Sequence, residues 1–283
     1  MAAEKDNGLV TGKMLGFILQ QKAAGGITMH KKEFKISHHN RISDCFYYKP
    51  ENMAVGEKCP VVIFSHGFDG FKRDFRTSAK YYAGAGICGV CHSFCGGGRK
   101  DVASGFSTTE MNHFTEMEDL ISVIDEVTSW DWIDETKVFL LGSSMGGLVS
   151  AMTAEALKDR IRGLILLFPA FCMLDNQETR FPKAEHMTGN FEFWGVPLGH
   201  QFFEVSKDYV IWEHLGGFDK PVLFMHGTAD NIVPISYSYK AKTFYKDARL
   251  ETFLDENHGF SKEGNRRMEA MALYFIHDCL GRE

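Results

Sequence analysis

Residues Gly142-Ser143-Ser144-Met145-Gly146 spell G-x-S-x-G, a pattern that sets a serine on a strained strand-to-helix turn with its hydroxyl clear of the sheet. The apolar run 137–141 before it suits a buried parallel strand, and the small and apolar residues 147–154 after it suit a helix packed on that strand. The flanking glycines would let chain segments approach closely. By itself such a pattern also fits a Gly/Ser-rich turn that merely caps a helix. A serine hydroxyl is a poor nucleophile near neutral pH, so the chemistry depends on a base and an orienting acid supplied from elsewhere.

Two later stretches offer them. Residues 221–227 form an apolar run that leads into Thr228-Ala229-Asp230-Asn231, and residues 250–254 lead into Asp255-Glu256-Asn257-His258-Gly259. Asp230 and His258 would therefore leave strand ends on the same sheet edge as Ser144. His258 would take the serine proton and later return it to the leaving group. Asp230 would hold the imidazole in the needed tautomer and stabilise its cation. Asp255 and Glu256 are rival acids, but they adjoin the base in sequence, whereas Asp230 follows its own strand. Backbone N–H groups of Met145 and of Phe68, in the His66-Gly67-Phe68 loop after the apolar run 60–65, are the expected oxyanion donors. His66 and His226 close strands and read as structural hydrogen-bonding residues; His92, His113 and His277 fall in core or helical segments.

The elements that must position these groups repeat as strand, helix, strand, helix, which predicts an α/β fold with a mostly parallel sheet covered on both faces. Residues 31–37 and 42–48 read as an antiparallel pair at one sheet edge, joined by the polar turn His38-His39-Asn40. Helices are expected near 75–83 and over 110–130, the latter with a core stripe of Met117, Leu120, Ile121, Ile124 and Val127 and a solvated acidic face. The Gly96-Gly97-Gly98-Arg99 loop lacks a P-loop ending and reads as a flexible turn near the site.

Residues 171–215 break the rhythm with Phe171, Phe181, Phe191, Phe193, Trp194, Phe202, Phe203, Tyr209 and Trp212 and without a clean strand. Leaving the carboxyl edge of a strand, this piece is expected to be an inserted cap or lid with apolar walls. Residues 1–30 form an N-terminal extension in which residues 14–19 could make a short amphipathic helix. Residues 31–283 are then one domain carrying the insertion, a size that buries about three quarters of the unfolded surface.

Composition narrows the class. The net charge of −6 and scattered basic residues argue against nucleic acid. No membrane-spanning run or export signal is visible, so the expectation is a cytoplasmic protein with no membrane span. Seven cysteines without framework spacing suggest reduced thiols. Cys88-Gly89-Val90-Cys91-His92 matches the haem-attachment pattern, but covalent haem normally needs export, so a buried strand with cysteines as small hydrophobes is favoured. Gly84-Ala85-Gly86-Ile87-Cys88-Gly89 spells a dinucleotide fingerprint between a helix and a strand, the wrong order for one. No cofactor and no metal are expected.

Together, the segments around Ser144, His66-Gly67-Phe68, His226 to Pro234 and Asn257-His258-Gly259-Phe260 resemble the serine α/β-hydrolases from about residue 31 onward. More narrowly, the chain resembles the cinnamoyl/feruloyl esterases of gut and rumen bacteria, through the His-Gly-Phe loop and an insertion of similar size and place. That resemblance implies an α/β-hydrolase fold, a small ester substrate with an aromatic acyl group, and an insertion that acts as an aromatic-binding lid. Met145 stands where many relatives carry Gln, and Gly70-Phe71-Lys72 departs from their usual loop, which bears on substrate choice and not on the oxyanion N–H. Amidase, peptidase or acyltransferase chemistry on the same residues, a ligand receptor on a hydrolase scaffold, and a homodimer are left open by the sequence.

Overall fold

A computed structural model of the protein describes residues 29–51, 53–100, 103–175 and 189–282. Most of the N-terminal extension, including residues 14–19, and Phe181 of the insertion lie outside them.

Eight strands form the main sheet: β1 (Met29–His38), β2 (Arg41–Pro50), β3 (Cys59–Ser65), β4 (Cys88–His92), β5 (Ile133–Ser143), β6 (Gly163–Leu167), β9 (Val222–Gly227) and β10 (Ala248–Phe253), in the order β1-β2-β4-β3-β5-β6-β9-β10. β1 pairs antiparallel with β2, and β2 with β4; from β4 onward every pairing is parallel. Strands β7 (Phe191–Phe193) and β8 (Val196–Leu198) form a separate hairpin. The helices are α1 (Arg76–Ala83), α2 (His113–Thr128), α3 (Met145–Ala156), α4 (Gln201–Glu204), α5 (Ser236–Lys242) and α6 (Lys262–Leu280). This is an α/β-hydrolase architecture, as expected.

Alternation along the central strands sends Val61, Ile63 and Leu140 into a core shared with α2 and α3, and Val62, Phe64, Phe139 and Leu141 into a second core under α1 and α6. Each fully buried aliphatic or aromatic side chain contributes about 1.5–3 kcal/mol, so a sheet sandwiched between two cores makes a stiff floor. The same alternation separates Cys88 from Cys91: they lie in opposite cores, on opposite faces of β4. They cannot share a haem or a metal.

Three expectations need correction. The acidic residues of α2 are not all solvated, because Glu116 and Asp119 are fully buried. Asp119 accepts from Arg41 Nε at 2.6 Å and from the Cys95 N–H at 2.7 Å, so an ion pair with β2 draws it inward. Burial, with the neighbouring Asp119 charge, pushes the Glu116 carboxyl well above the usual range. Second, the glycine loop is buried and tied down: Gly97 O accepts from Asp69 N, and a Cβ on Gly98 would press on Gly70 O at 2.6 Å. Third, the insertion does contain strands. Trp194 and Gly195 both take positive φ, 50° and 75°, the two-residue turn whose twist suits a tight hairpin.

Candidate active site

β5 ends in the turn at Ser144, whose backbone sits at φ 52°, ψ −120°. A non-glycine residue there is strained and needs support from its surroundings. Four main-chain hydrogen bonds supply it: Ser144 N donates to Leu167 O, and Ser144 O accepts from the N–H groups of Gly147, Leu148 and Ala170. The glycines of the pattern are needed for space. A Cβ on Gly146 would collide with the carbonyl oxygens of Ser65 and His66, and one on Gly142 with that of Gly146.

Asp230 and His258 leave the adjacent strands β9 and β10, and their loops are stapled together. Ala229 N donates to Glu256 O at 3.0 Å, and Asn257 Oδ1 accepts from Asn231 N and His258 N at 3.2 and 2.8 Å. Within this frame the three predicted residues meet. His258 Nε2 lies 3.1 Å from Ser144 Oγ, and His258 Nδ1 lies 2.8 Å from Asp230 Oδ2. Since a carboxylate only accepts, the imidazole carries its proton on Nδ1 and turns a free lone pair toward the serine.

The Asp230 side chain has no exposed surface. Burial alone would raise its pKa, but hydrogen bonds from His226, His258 and the N–H groups of Val233 and Ile232 overrule it and hold the carboxyl far below its ordinary range. The rivals are otherwise engaged. Glu256 accepts from the Ser261 N–H at 2.5 Å and from the Ser261 hydroxyl at the start of α6, and Asp255 is exposed.

The loop after β3 runs beside the serine, with Gly67 so near that a Cβ on it would lie 3.1 Å from Ser144 Cβ. Asp69 N and Gly70 N are consumed by Gly97 O and Gly67 O, while the Phe68 N–H has no protein acceptor among the described residues. Met145 opens α3, so its N–H is one of the helix-start donors that no preceding turn satisfies. Both expected oxyanion donors are thus placed on segments that border Ser144.

Sequence reasoning missed several contributors. His226, read as structural, reaches Asp230 Oδ2 at 3.2 Å. Phe168, at φ 37°, rests its ring on His258 with centroids 4.6 Å apart. Its place just past β6 on the active edge is the signal that could have marked it. Above Phe68 the β7–β8 hairpin brings Phe193 and Trp194, with ring centroids 5.3 and 6.2 Å from Phe68. Other insertion aromatics, Phe171, Phe202 and Phe203, are buried and serve packing.

One group of potential metal ligands exists among the described residues: His38, Cys95 and Asp119, with ligand atoms within 4.8 Å of one another. Asp119 there already receives Arg41 and the Cys95 N–H. A guanidinium on the ligand oxygen opposes a second cation, so the group is an ion-pair network and not a metal site.

Among the described residues no helix is long and apolar enough to cross a membrane. No curated protein matches the chain in sequence. Solved structures do match in fold. Est1E from Butyrivibrio proteoclasticus, in a structure with ferulic acid bound, aligns at 22% identity over 88% of this chain and 100% of its own, with a TM-score of 0.78. The α/β hydrolase GrgF from Penicillium sp. sh18 aligns at 17% identity over 90% of this chain and 99% of its own, TM-score 0.72. Alpha/beta hydrolase domain-containing protein 10 from mouse follows at 17% identity, 89% and 99%, TM-score 0.67. Such identities speak to fold alone. The sequence itself matches the prolyl oligopeptidase family, peptidase S9, over residues 73–283. The chain therefore belongs to the prolyl oligopeptidase family of serine α/β-hydrolases.

Proposed function

We propose that this hydrolase cleaves carboxylic esters through an acyl-enzyme on Ser144, with an aromatic, hydroxycinnamate-type acyl group as its preferred cargo. The observation that carries the reading is the unbroken line from Ser144 Oγ through His258 to Asp230, at 3.1 and 2.8 Å. As Ser144 Oγ attacks the ester carbonyl, His258 Nε2 takes its proton, and Asp230 steadies the resulting cation. The carbonyl oxygen becomes an oxyanion held by the N–H groups of Met145 and Phe68, each such donor worth about 3 kcal/mol. Collapse breaks the ester C–O bond, and His258 returns the proton to the departing alcohol. Water then repeats the sequence on the acyl-enzyme and frees the acid. No cofactor is required for any step.

The aromatic preference is supported by the Phe68, Phe193 and Trp194 rings above the oxyanion loop and by the fold shared with Est1E, whose structure holds ferulic acid. Amide or peptide cleavage is a second reading, favoured by the family match. It uses the same residues on a poorer leaving group.

The test is a panel of methyl ferulate, methyl p-coumarate, short p-nitrophenyl esters and a prolyl anilide, run with wild type and Ser144→Ala. Hydroxycinnamate esters are expected to turn over fastest, with Ser144→Ala slower by about 10⁶-fold. Equal hydrolysis by both proteins would remove Ser144 as nucleophile. Preference for the anilide would replace the esterase reading with the peptidase one. Tight binding of ferulate without any product would make the protein a receptor.

A further inference from the structure

His226 sits on β9, four residues before Asp230, and is fully buried. Its Nε2 lies 3.0 Å from Val233 O and 3.2 Å from Asp230 Oδ2. A carbonyl and a carboxylate can only accept, so Nε2 must carry hydrogen. Its Nδ1, 2.7 Å from Ser238 Oγ, then accepts the serine hydroxyl in the neutral ring. Ser238 lies on α5 and is itself fully buried. The single Nε2 hydrogen is bonded to Val233 O and leans on Asp230 Oδ2, so one line of polar contacts runs from Ser238 through His226, Asp230 and His258 to Ser144, joining α5, β9 and the loops after β9 and β10.

Within that line Asp230 is held from two sides. Oδ1 accepts the N–H groups of Ile232 and Val233, each at 2.9 Å. Oδ2, the oxygen that orients His258, has one further polar neighbour, the His226 Nε2–H that it shares with Val233 O. With no exposed surface on the Asp230 side chain, water cannot substitute if His226 is lost. The carboxylate would then be left partly unpaired and free to turn about its last bond, and such a buried deficit is costly.

We propose that His226 is a positioning residue for the hydrolytic site, fixing the plane of the Asp230 carboxylate, and that Ser238 holds the His226 ring in place through Nδ1. The inference rests on the reading of Ser144 as nucleophile. His226 touches no reacting atom; it acts through Asp230, and its effect belongs to the chemical step and not to substrate binding.

The experiment measures phosphonylation of the serine by a fluorophosphonate, which reports Ser144 activation without knowledge of the natural ester. Saturation separates the limiting rate from the apparent binding constant. His226→Phe keeps the ring's bulk but has no donor. It is expected to lower the limiting rate by about 10- to 100-fold, the range for losing an outer hydrogen-bond partner, with the binding constant within about twofold. His226→Gln can place an N–H where Nε2 stood and should recover most of the rate. His226→Asn, one methylene too short, should not. Ser238→Ala should show a smaller loss of the same kind. A wild-type limiting rate in His226→Phe overturns the proposal. Should that variant not fold, equal rates for the Gln and Asn variants overturn it instead. Labelling of Ser144→Ala at the wild-type rate would defeat the nucleophile reading itself, a result distinct from either.

Discussion

The floor of the site and the hairpin above it are built by different means. Ser144, Asp230 and His258 stand just past the ends of parallel strands, the first two largely buried, on turns pinned by main-chain hydrogen bonds to neighbouring strands and loops. The β7–β8 hairpin belongs to a two-stranded sheet of its own. Val196 and Leu198 root it in the core, and its turn and far strand are tied by polar side chains: Arg99 Nη1 donates to Gly195 O at 3.4 Å and Thr108 Oγ1 to Pro197 O at 2.5 Å. The floor cannot change without disturbing the sheet. The hairpin can be altered at its tip, where Trp194 is 60% exposed, at little cost to the core. Under the proposed function, reaction chemistry would fall to the floor and substrate preference to the hairpin tip.

The sharpest way to break that division is at the acid. Asp230→Asn preserves shape but removes the charge and admits the wrong imidazole tautomer, and a fall of about 10⁴-fold in kcat is expected with every substrate. Near-normal turnover would mean that another group orients His258. Next in size is Gly146→Ala, which forces a methyl group against the carbonyl oxygens of Ser65 and His66. A loss of about 1–3 kcal/mol in stability is expected from urea unfolding, and an unchanged midpoint would show that the turn yields more readily than its hydrogen bonds suggest. The smallest effect belongs to the cap. Trp194→Ala should raise KM for a hydroxycinnamate ester by about 2- to 10-fold, the worth of one aromatic contact, while leaving kcat and acetyl-ester hydrolysis unchanged. A fall in kcat there would show that hairpin and floor are coupled.

These contrasts also explain what could be read from the chain. Ser144 and Asp230 were legible because each follows an apolar run that must be a buried strand, and His258 because it follows the last strand, 250–254; parallel strands present their carboxyl ends on one edge. The antiparallel pair at the sheet edge was legible through alternation, and α2 through its amphipathic stripe. The buried acids of α2 were not. Glu116 and Asp119 look like polar positions on an amphipathic helix, and only Arg41, 78 residues before Asp119, reveals why the latter turns inward. The hairpin was hidden because three-residue strands are too short for a periodicity argument, although Phe193-Trp194-Gly195-Val196 does hold a glycine where a tight turn needs one. His226 was hidden for a related reason. Its partners Ser238 and Asp230 fall into reach only after α5 packs on β9.

His258 is delivered by β10, the last strand of the sheet, which pairs on one side only, with β9. All but one of its residues are incompletely buried. Such an edge can detach at a lower free energy than global unfolding requires. On warming, β10 is therefore expected to release before the central strands, with activity lost ahead of global unfolding, and a ligand bridging Ser144 and His258 is expected to delay that loss by clamping the edge.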